Sequence, residues 1–172
     1  MTLLQASKSP APPSTGSENG TGTGSDFLVE FYVLGIPRPQ GSKSLLGNGR
    51  MVEASLYVGD WRNAVMAAAH RAYRGPAITE AVELDVTFFF PRPKSHYGTG
   101  ANSDTLKPSK IDLKPAARPD LSKLVRSTED AMAECSGYPV MRDDGQVTDL
   151  TCRKRYADEK NPPGALVRLR IV

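Results

Sequence analysis

Three aspartates occupy positions from which their side chains can serve metal chemistry. Asp120 begins a predicted helix, and Asp143 and Asp144 lie in a turn that leads into a predicted strand. If that strand packs beside the helix, the three carboxylates converge on one point. Mg²⁺ prefers hard oxygen ligands, and one or two carboxylates are enough because water and substrate phosphate oxygens complete its shell. The same residue types also serve as a helix cap and a turn, so both interpretations stay open.

Two cations accompany the first aspartate. Lys123 and Arg126 lie three and six residues beyond Asp120, in the first two turns of the predicted helix. From there they can present positive charge to the same phosphate, which is what hydrolysis of a phosphodiester requires in its transition state. The chain has two histidines, His70 and His96, which leaves little material for a histidine-based triad or zinc site.

The positive charge of the chain is concentrated in one stretch. Residues 92–126 contain eight Lys or Arg against three Asp, a net charge of +5, although the whole chain carries only +3. A basic surface beside carboxylates is typical of a metal-using enzyme that acts on a polyanion. A solvated charged loop with no nucleic-acid partner is the alternative.

The elements that must position these residues follow from hydrophobic periodicity. Helices are predicted over 57–73 and 120–134, where apolar residues recur at three- and four-residue steps. Strands are predicted over 27–36, 82–90, 146–156 and 165–172. A hairpin or a mobile basic loop occupies residues 37–49, and residues 92–119 form a long connection without regular structure. The sequence therefore predicts a single α+β domain in the order β-α-β-α-β-β, a small mixed sheet with two helices packed on it.

One segment lies outside the predicted domain, and the sequence lacks the motifs of nucleotide-cofactor binding and of membrane insertion. Residues 1–26 consist mainly of small and polar side chains and are predicted to be a disordered tail, which leaves residues 27–172 as the folded domain. A glycine-rich phosphate loop is missing, so no nucleotide cofactor is expected. There is neither a run of about 20 apolar residues nor a secretory signal, so no membrane association is expected.

Three segments together resemble the RusA family of Holliday junction resolvases. They are Arg-Pro-Asp-Leu-Ser-Lys-Leu-Val-Arg at 118–126, Glu-Asp-Ala-Met at 129–132 and Arg-Asp-Asp-Gly-Gln-Val at 142–147. Their order and spacing match the family pattern of a basic-Pro-Asp-x-Asp-Asn-Leu-x-Lys helix followed by an Asp-Asp-x-Gln-Val turn. Pro-Gln-Gly-Ser-Lys at 39–43 and Pro-Arg-Pro-Lys-Ser-His-Tyr at 91–97 resemble segments of phage members, so the similarity covers about residues 27–172.

The resemblance implies a role for each matching residue. Asp120 and Asp144 correspond to metal-binding aspartates, and Arg126 falls where the family has a catalytic lysine. Ser122 stands where a second helix aspartate is expected, and Lys123 replaces the following asparagine. Asp143 and Ser122 are then expected to support the Mg²⁺ ion directly or through water. Because guanidinium keeps its proton, Arg126 is limited to an electrostatic role.

The resemblance also implies the substrate and the assembly. Family members are homodimers that cut four-way junctions symmetrically, so branched DNA and a second copy of the chain are the expected partners. Cytoplasm of a bacterium or of a phage-infected host is the expected location. The residues expected to contact DNA are Lys43, Arg50, Arg92, Lys94, Lys107, Lys110, Lys114 and Arg118. Ser122 motivates a rival interpretation, a junction-binding protein with impaired catalysis. A structural or regulatory protein without a nucleic-acid partner is the third.

Overall fold

The computed structural model describes residues 27–41, 43–45, 51–53, 57–133 and 139–172. The predicted tail, residues 1–26, lies outside this part of the chain. The elements are β1 (Val29–Leu34), β2 (Lys43–Leu45), β3 (Met51–Glu53), α1 (Val58–Ala72), β4 (Val82–Phe90), α2 (Leu121–Ala133), β5 (Val147–Tyr156) and β6 (Gly164–Ile171). The predicted order is confirmed, and β2 pairs antiparallel with β3 to form the hairpin that the sequence left open. No described helix is long and apolar enough to cross a membrane.

The main sheet has four strands in the order β1-β6-β4-β5. Strand β4 runs parallel to β5, and the other two pairs are antiparallel. A parallel pair needs a long crossover connection, and the segment that contains α2 supplies it. This connection packs the turn before β5 against α2.

Both helices contribute to the hydrophobic core on one face of this sheet. Val82, Leu84, Val86 and Phe88, the alternate residues of β4, are fully buried in it, as their alternation predicted. Trp61 of α1 is 2% exposed, which confirms its predicted place in the core. The opposite face of the sheet is charged and carries three ion pairs between neighbouring strands: Arg168–Glu30, Arg170–Glu83 and Arg153–Asp85.

Helix α2 is fixed against α1 by polar contacts as well as by packing. The Trp61 Nε1–H donates a hydrogen bond of 3.2 Å to Thr128 Oγ1, and Arg62 forms an ion pair of 2.6 Å with Asp130. Thr128 is completely buried, so its hydroxyl needs this partner and the Leu124 carbonyl that it also contacts. The rotation of α2 about its own axis is therefore fixed, which leaves Ser122, Lys123 and Arg126 exposed.

Residues 92–119 are ordered by local backbone contacts. They contain three short 3-10 turns, at 94–96, 100–102 and 108–110. Backbone hydrogen bonds from Gly98 to Thr105 and from Lys107 to His96 close a small hairpin-like loop. Among these described residues, no α-helix or named strand forms between β4 and α2, as the sequence predicted, and local backbone hydrogen bonds order the connection instead.

Candidate active site

Asp120 directly precedes the first residue of α2. Its backbone carbonyl accepts the first helical hydrogen bond, from the Leu124 N–H at 3.2 Å. Its side chain is 60% exposed, and Lys123 Nζ lies 3.9 Å from Oδ2. Within the described residues the carboxylate accepts no hydrogen bond, so it is not consumed in capping its own helix. Asp120 is thus available to a ligand.

The two aspartates of the turn differ in their contacts. The Asp143 side chain accepts a hydrogen bond of 2.8 Å from the Gly145 N–H, and the Asp143 N–H donates one of 2.7 Å to Gln146 Oε1. Gln146 in turn donates to the carbonyls of Ile78 and Glu80, so the turn is tied to the segment that precedes β4. Asp144 is exposed and has none of these bonds. Asp143 therefore caps a 3-10 turn, while the carboxylate of Asp144 accepts no hydrogen bond from the part of the chain that the structure describes.

A third acidic residue, which the sequence analysis did not single out, lies on the same helix. Glu129 is half-buried in the middle of α2. Burial raises the pKa of the Glu129 carboxyl, the negative charges of Asp144 and Asp130 raise it further, and Arg126 lowers it. The influence of Asp144 means that the turn before β5 faces the middle of α2. Its position seven residues after Ser122, on the same helix face, was the signal available in the sequence.

Helix geometry limits what these carboxylates can share. Asp120 and Glu129 are nine residues apart, which is roughly 13 Å along a helix that rises about 1.5 Å per residue. Ligand distances to Mg²⁺ are about 2.1 Å, so these two side chains do not reach one ion. Among the described residues, no three His, Cys, Asp or Glu side chains are gathered closely enough to hold a metal.

The donor set nevertheless fits a hard divalent cation in its chemistry. Asp120 and Asp144 expose carboxylates that accept no hydrogen bond within the described residues, although Lys123 Nζ lies 3.9 Å from Asp120 Oδ2. Ser122 exposes a hydroxyl two residues after Asp120. Mg²⁺ keeps several waters and takes substrate phosphate oxygens, so two protein carboxylates are sufficient. Asp143 has one oxygen engaged by Gly145. Its predicted contribution to the metal shell stays a prediction.

The segment before Asp120 is held in place by a side chain of β5. Lys154 of β5 extends its ammonium group to two backbone carbonyls, Ala117 at 2.8 Å and Pro119 at 3.0 Å. Both are charge-assisted hydrogen bonds, which are stronger than neutral ones. Lys154 thereby fixes the approach of the chain to α2. Sequence reasoning missed this role because the partners are backbone atoms more than thirty residues away.

The predicted DNA-contacting residues fall into three groups. Arg92 and Lys107 have internal roles: Arg92 donates to the carbonyls of Lys110 and Ile111, and Lys107 donates to that of Ser95. Exposed cations that are available for phosphate are Lys94, Lys114 and Arg118, and Lys110 is half-buried. Arg50 and the side chain of Lys43 lie outside the described residues.

His96 packs within the basic loop and is partly buried there. Its ring packs edge-on against Tyr156 at 5.2 Å between centroids, and the Arg92 guanidinium lies 4.8 Å from the centre of the same Tyr156 ring. Desolvation lowers the pKa of His96, and the charges of Lys110, Arg92 and Lys107 lower it further. The loop thus gathers positive charge around a neutral imidazole.

Glu129 yields a prediction about stability that needs no substrate. Its raised pKa means that the folded state binds more protons than the unfolded state between the ordinary glutamate pKa, about 4.3, and the folded value. Stability is therefore lost as the pH rises through that window. We expect Glu129→Gln to raise the melting temperature at pH 7 in EDTA, and the gain to vanish below about pH 4.

The matched control is Glu159→Gln, because Glu159 is exposed. Thermal unfolding of both variants and of the parent chain at pH 4 and pH 7 is the measurement. An equal change for Glu129→Gln at both pH values would contradict the electrostatic origin of the effect.

Comparison with known protein families identifies the family of this chain. The model of the family described as endodeoxyribonuclease RusA matches residues 35–170. The match includes the loop after β1, the whole of α2 and the turn that carries Asp143 and Asp144. A search of curated proteins found no match. Since the family model covers most of the chain, the chain belongs to the RusA family of endodeoxyribonucleases, the resolvases of Holliday junctions.

Proposed function

We propose that this chain is a Mg²⁺-dependent endonuclease that resolves four-way junctions or other branched DNA by paired phosphodiester hydrolysis. The observation that carries the proposal is the state of two carboxylates. Asp120 and Asp144 are exposed and accept no hydrogen bond within the described residues, whereas Asp143 is engaged as a cap. Free carboxylates beside exposed cations suit a metal and a phosphate together.

Each residue has a distinct part in the proposed reaction. Asp120 and Asp144 would hold the ion, with Asp143 and Ser122 in support. When bound, Mg²⁺ supplies an activated water and neutralises charge on the phosphate oxygens. Lys123 and Arg126 lie on the exposed side of α2 and stabilise the negative charge that grows on the phosphate in the transition state. Arg126 acts through charge alone, because its guanidinium does not donate a proton near neutral pH.

Residues 27–172 form the proposed endonuclease domain, and a homodimer is the proposed assembly. Two cuts placed symmetrically across a junction require two active sites related by a two-fold axis. Phosphate contacts would come from Lys94, Lys114 and Arg118, whose side chains are exposed, and from Lys43 and Arg50. Arg92, Lys107 and Lys110 contribute positive potential while they maintain the loop.

The second candidate function is a junction-binding protein that has lost catalysis. Ser122 favours it, because a hydroxyl replaces a carboxylate at an exposed position beside Asp120. Such a protein keeps its basic surface and its affinity for branched DNA. The two candidates differ only in the dependence on metal and in strand scission.

The test uses a synthetic four-way junction with labelled strands. We expect paired nicks in Mg²⁺, none in EDTA, and binding that weakens steeply with added salt because phosphate contacts release counterions. A linear duplex of the same sequence is the control substrate. Tight binding without nicks at any metal concentration would support the binding protein instead. Weak binding that does not respond to salt would contradict both candidates.

A further inference from the structure

A groove lies directly beside Asp120, between the loop after β1 and the start of α2. We call it the Gln40 groove; its lining residues are Ile36, Pro37, Arg38, Pro39, Gln40, Gly41, Phe90, Arg118, Pro119, Asp120 and Lys123. Its volume is about 600 Å³. Sites for small organic molecules have volumes of roughly 300–1,000 Å³, so the groove is large enough for one nucleotide.

The wall of the groove is held rigidly to α2. The Gln40 N–H donates a hydrogen bond of 2.9 Å to the Lys123 carbonyl, and the Ser127 hydroxyl donates one of 2.7 Å to the Arg38 carbonyl. Ser127 is completely buried, and its bond to the Arg38 carbonyl is partly buried. The loop therefore keeps a fixed distance from the helix that carries Asp120, Lys123 and Arg126.

The chemistry of the lining is that of a site for an unpaired nucleotide. Phe90 and Pro119 offer apolar and aromatic surface on which a base can stack, while Arg118 and Lys123 at the same groove provide exposed cations for the backbone. Asp120 lies in the lining, next to the place where a metal-bound phosphate is expected. Charge and surface type thus fit a single DNA strand better than an apolar peptide.

Gln40 is the polar side chain that can read a base edge there. Its Oε1 is buried and has no hydrogen-bond partner in the described part of the chain. Buried polar atoms are nearly always paired, so an unpaired one beside a groove calls for an explanation. Gln40 also lines a second recess of about 290 Å³, together with Gly41, Lys123 and Arg126. Rotation of its side-chain amide would bring both its donor and its acceptor to a bound base.

We propose that the Gln40 groove holds one nucleotide of the junction, unpaired from its complement and adjacent to the scissile phosphate, and that the Gln40 amide selects its base. The inference rests on the proposed function, because it takes the phosphate next to Asp120 as the one that is cut. It assigns to the loop at 36–41 a role in choosing where the branch is cut, in addition to the role of α2 in cutting.

The experiment separates base capture from cleavage. Junctions carry 2-aminopurine at successive positions around the branch, and fluorescence is recorded with protein in EDTA, where no cutting occurs. We expect a rise of at least about threefold at one position, because a base that leaves the stack loses its quenching neighbours. Cleavage sites are then mapped in Mg²⁺ on a junction whose branch point can migrate.

Gln40→Met keeps the length of the side chain and removes its hydrogen-bonding groups. We expect this variant to bind the junction within about threefold of the parent chain, and its preference among cleavage positions to fall at least about tenfold. Asn63→Met is the matched control, because Asn63 is an exposed amide on α1 outside the groove. Thermal unfolding checks that both variants fold.

An unchanged cleavage pattern in Gln40→Met would overturn the role of Gln40. Uniform fluorescence at all positions would overturn the capture of a base, as would failure of the junction to bind in EDTA. A fluorescence rise at one position without any nick in Mg²⁺ would support the groove and contradict the proposed endonuclease function.

Discussion

Replacement of Asp144 by Asn is expected to lower the rate of junction cleavage about 1,000-fold while junction binding in EDTA stays within about threefold. The change removes a negative charge and keeps the shape of the side chain. Loss of a group that acts on developing charge in an active site typically lowers the rate about 100- to 1,000-fold. The exposed carboxylate of Asp144 has no hydrogen bond within the described residues, so the fold has little dependence on it.

Variants at two other aspartates test whether the loss of cleavage is specific to Asp144. Asp60→Asn is the matched control, because Asp60 is an exposed aspartate in the first turn of α1, outside the proposed site. Asp143→Ala should lower the melting temperature instead, since it removes the carboxylate that caps the 3-10 turn through the Gly145 N–H. Single-turnover cleavage of a labelled junction is the measurement. Full activity of Asp144→Asn would contradict the site assignment.

The second large expected effect is a gain in Mg²⁺ affinity. Ser122→Asp is expected to bind Mg²⁺ roughly ten- to hundredfold more tightly, which is the scale on which groups around a metal change its affinity. Ser122 is exposed in the first turn of α2, where a new carboxylate has room and also interacts favourably with the helix dipole, by about 0.3–1 kcal/mol. Its effect on cleavage should be greatest at low metal concentration.

The control for charge is Ser122→Asn, which has nearly the same shape as Asp without its charge. Cleavage is measured across a Mg²⁺ titration, and metal affinity is measured separately by calorimetry without DNA. A shift of the titration midpoint in Ser122→Asp alone would identify position 122 as an incomplete ligand position. Equal midpoints for all three chains would mean that the native donors suffice and that Ser122 has no part in the site.

The sequence alone was enough for the elements and for the family. Periodicity of three to four residues predicted α1 and α2 within two residues of their observed bounds, as far as α2 is described. The alternation in β4 identified its buried face, because successive side chains of a strand point to opposite faces of the sheet. The motif from Arg118 to Arg126 and the turn at Asp143 and Asp144 predicted the family, and the family model confirmed it.

Only the tertiary structure decided which of the candidate side chains are free. Asp143 and Asp144 are adjacent and identical in the sequence. Asp143 caps a turn, whereas the Asp144 side chain has no hydrogen bond within the described residues, because the direction of the backbone differs at the two positions. Arg92 and Lys107 belonged to a basic stretch by composition, and their partners turned out to be carbonyls of the same loop. Which cations donate to distant backbone carbonyls cannot be read from residue type.

The groove beside Asp120 and the place of Glu129 likewise arise from contacts between distant parts of the chain. Gln40 reaches Lys123 across more than eighty residues, and Lys154 holds the segment before Asp120 from a strand that follows it. Local sequence determined the helices, the strands and the types of residue available for chemistry, because these follow from nearest-neighbour geometry. The surroundings of Asp120 were determined by folding, because packing joins segments that lie far apart in the sequence.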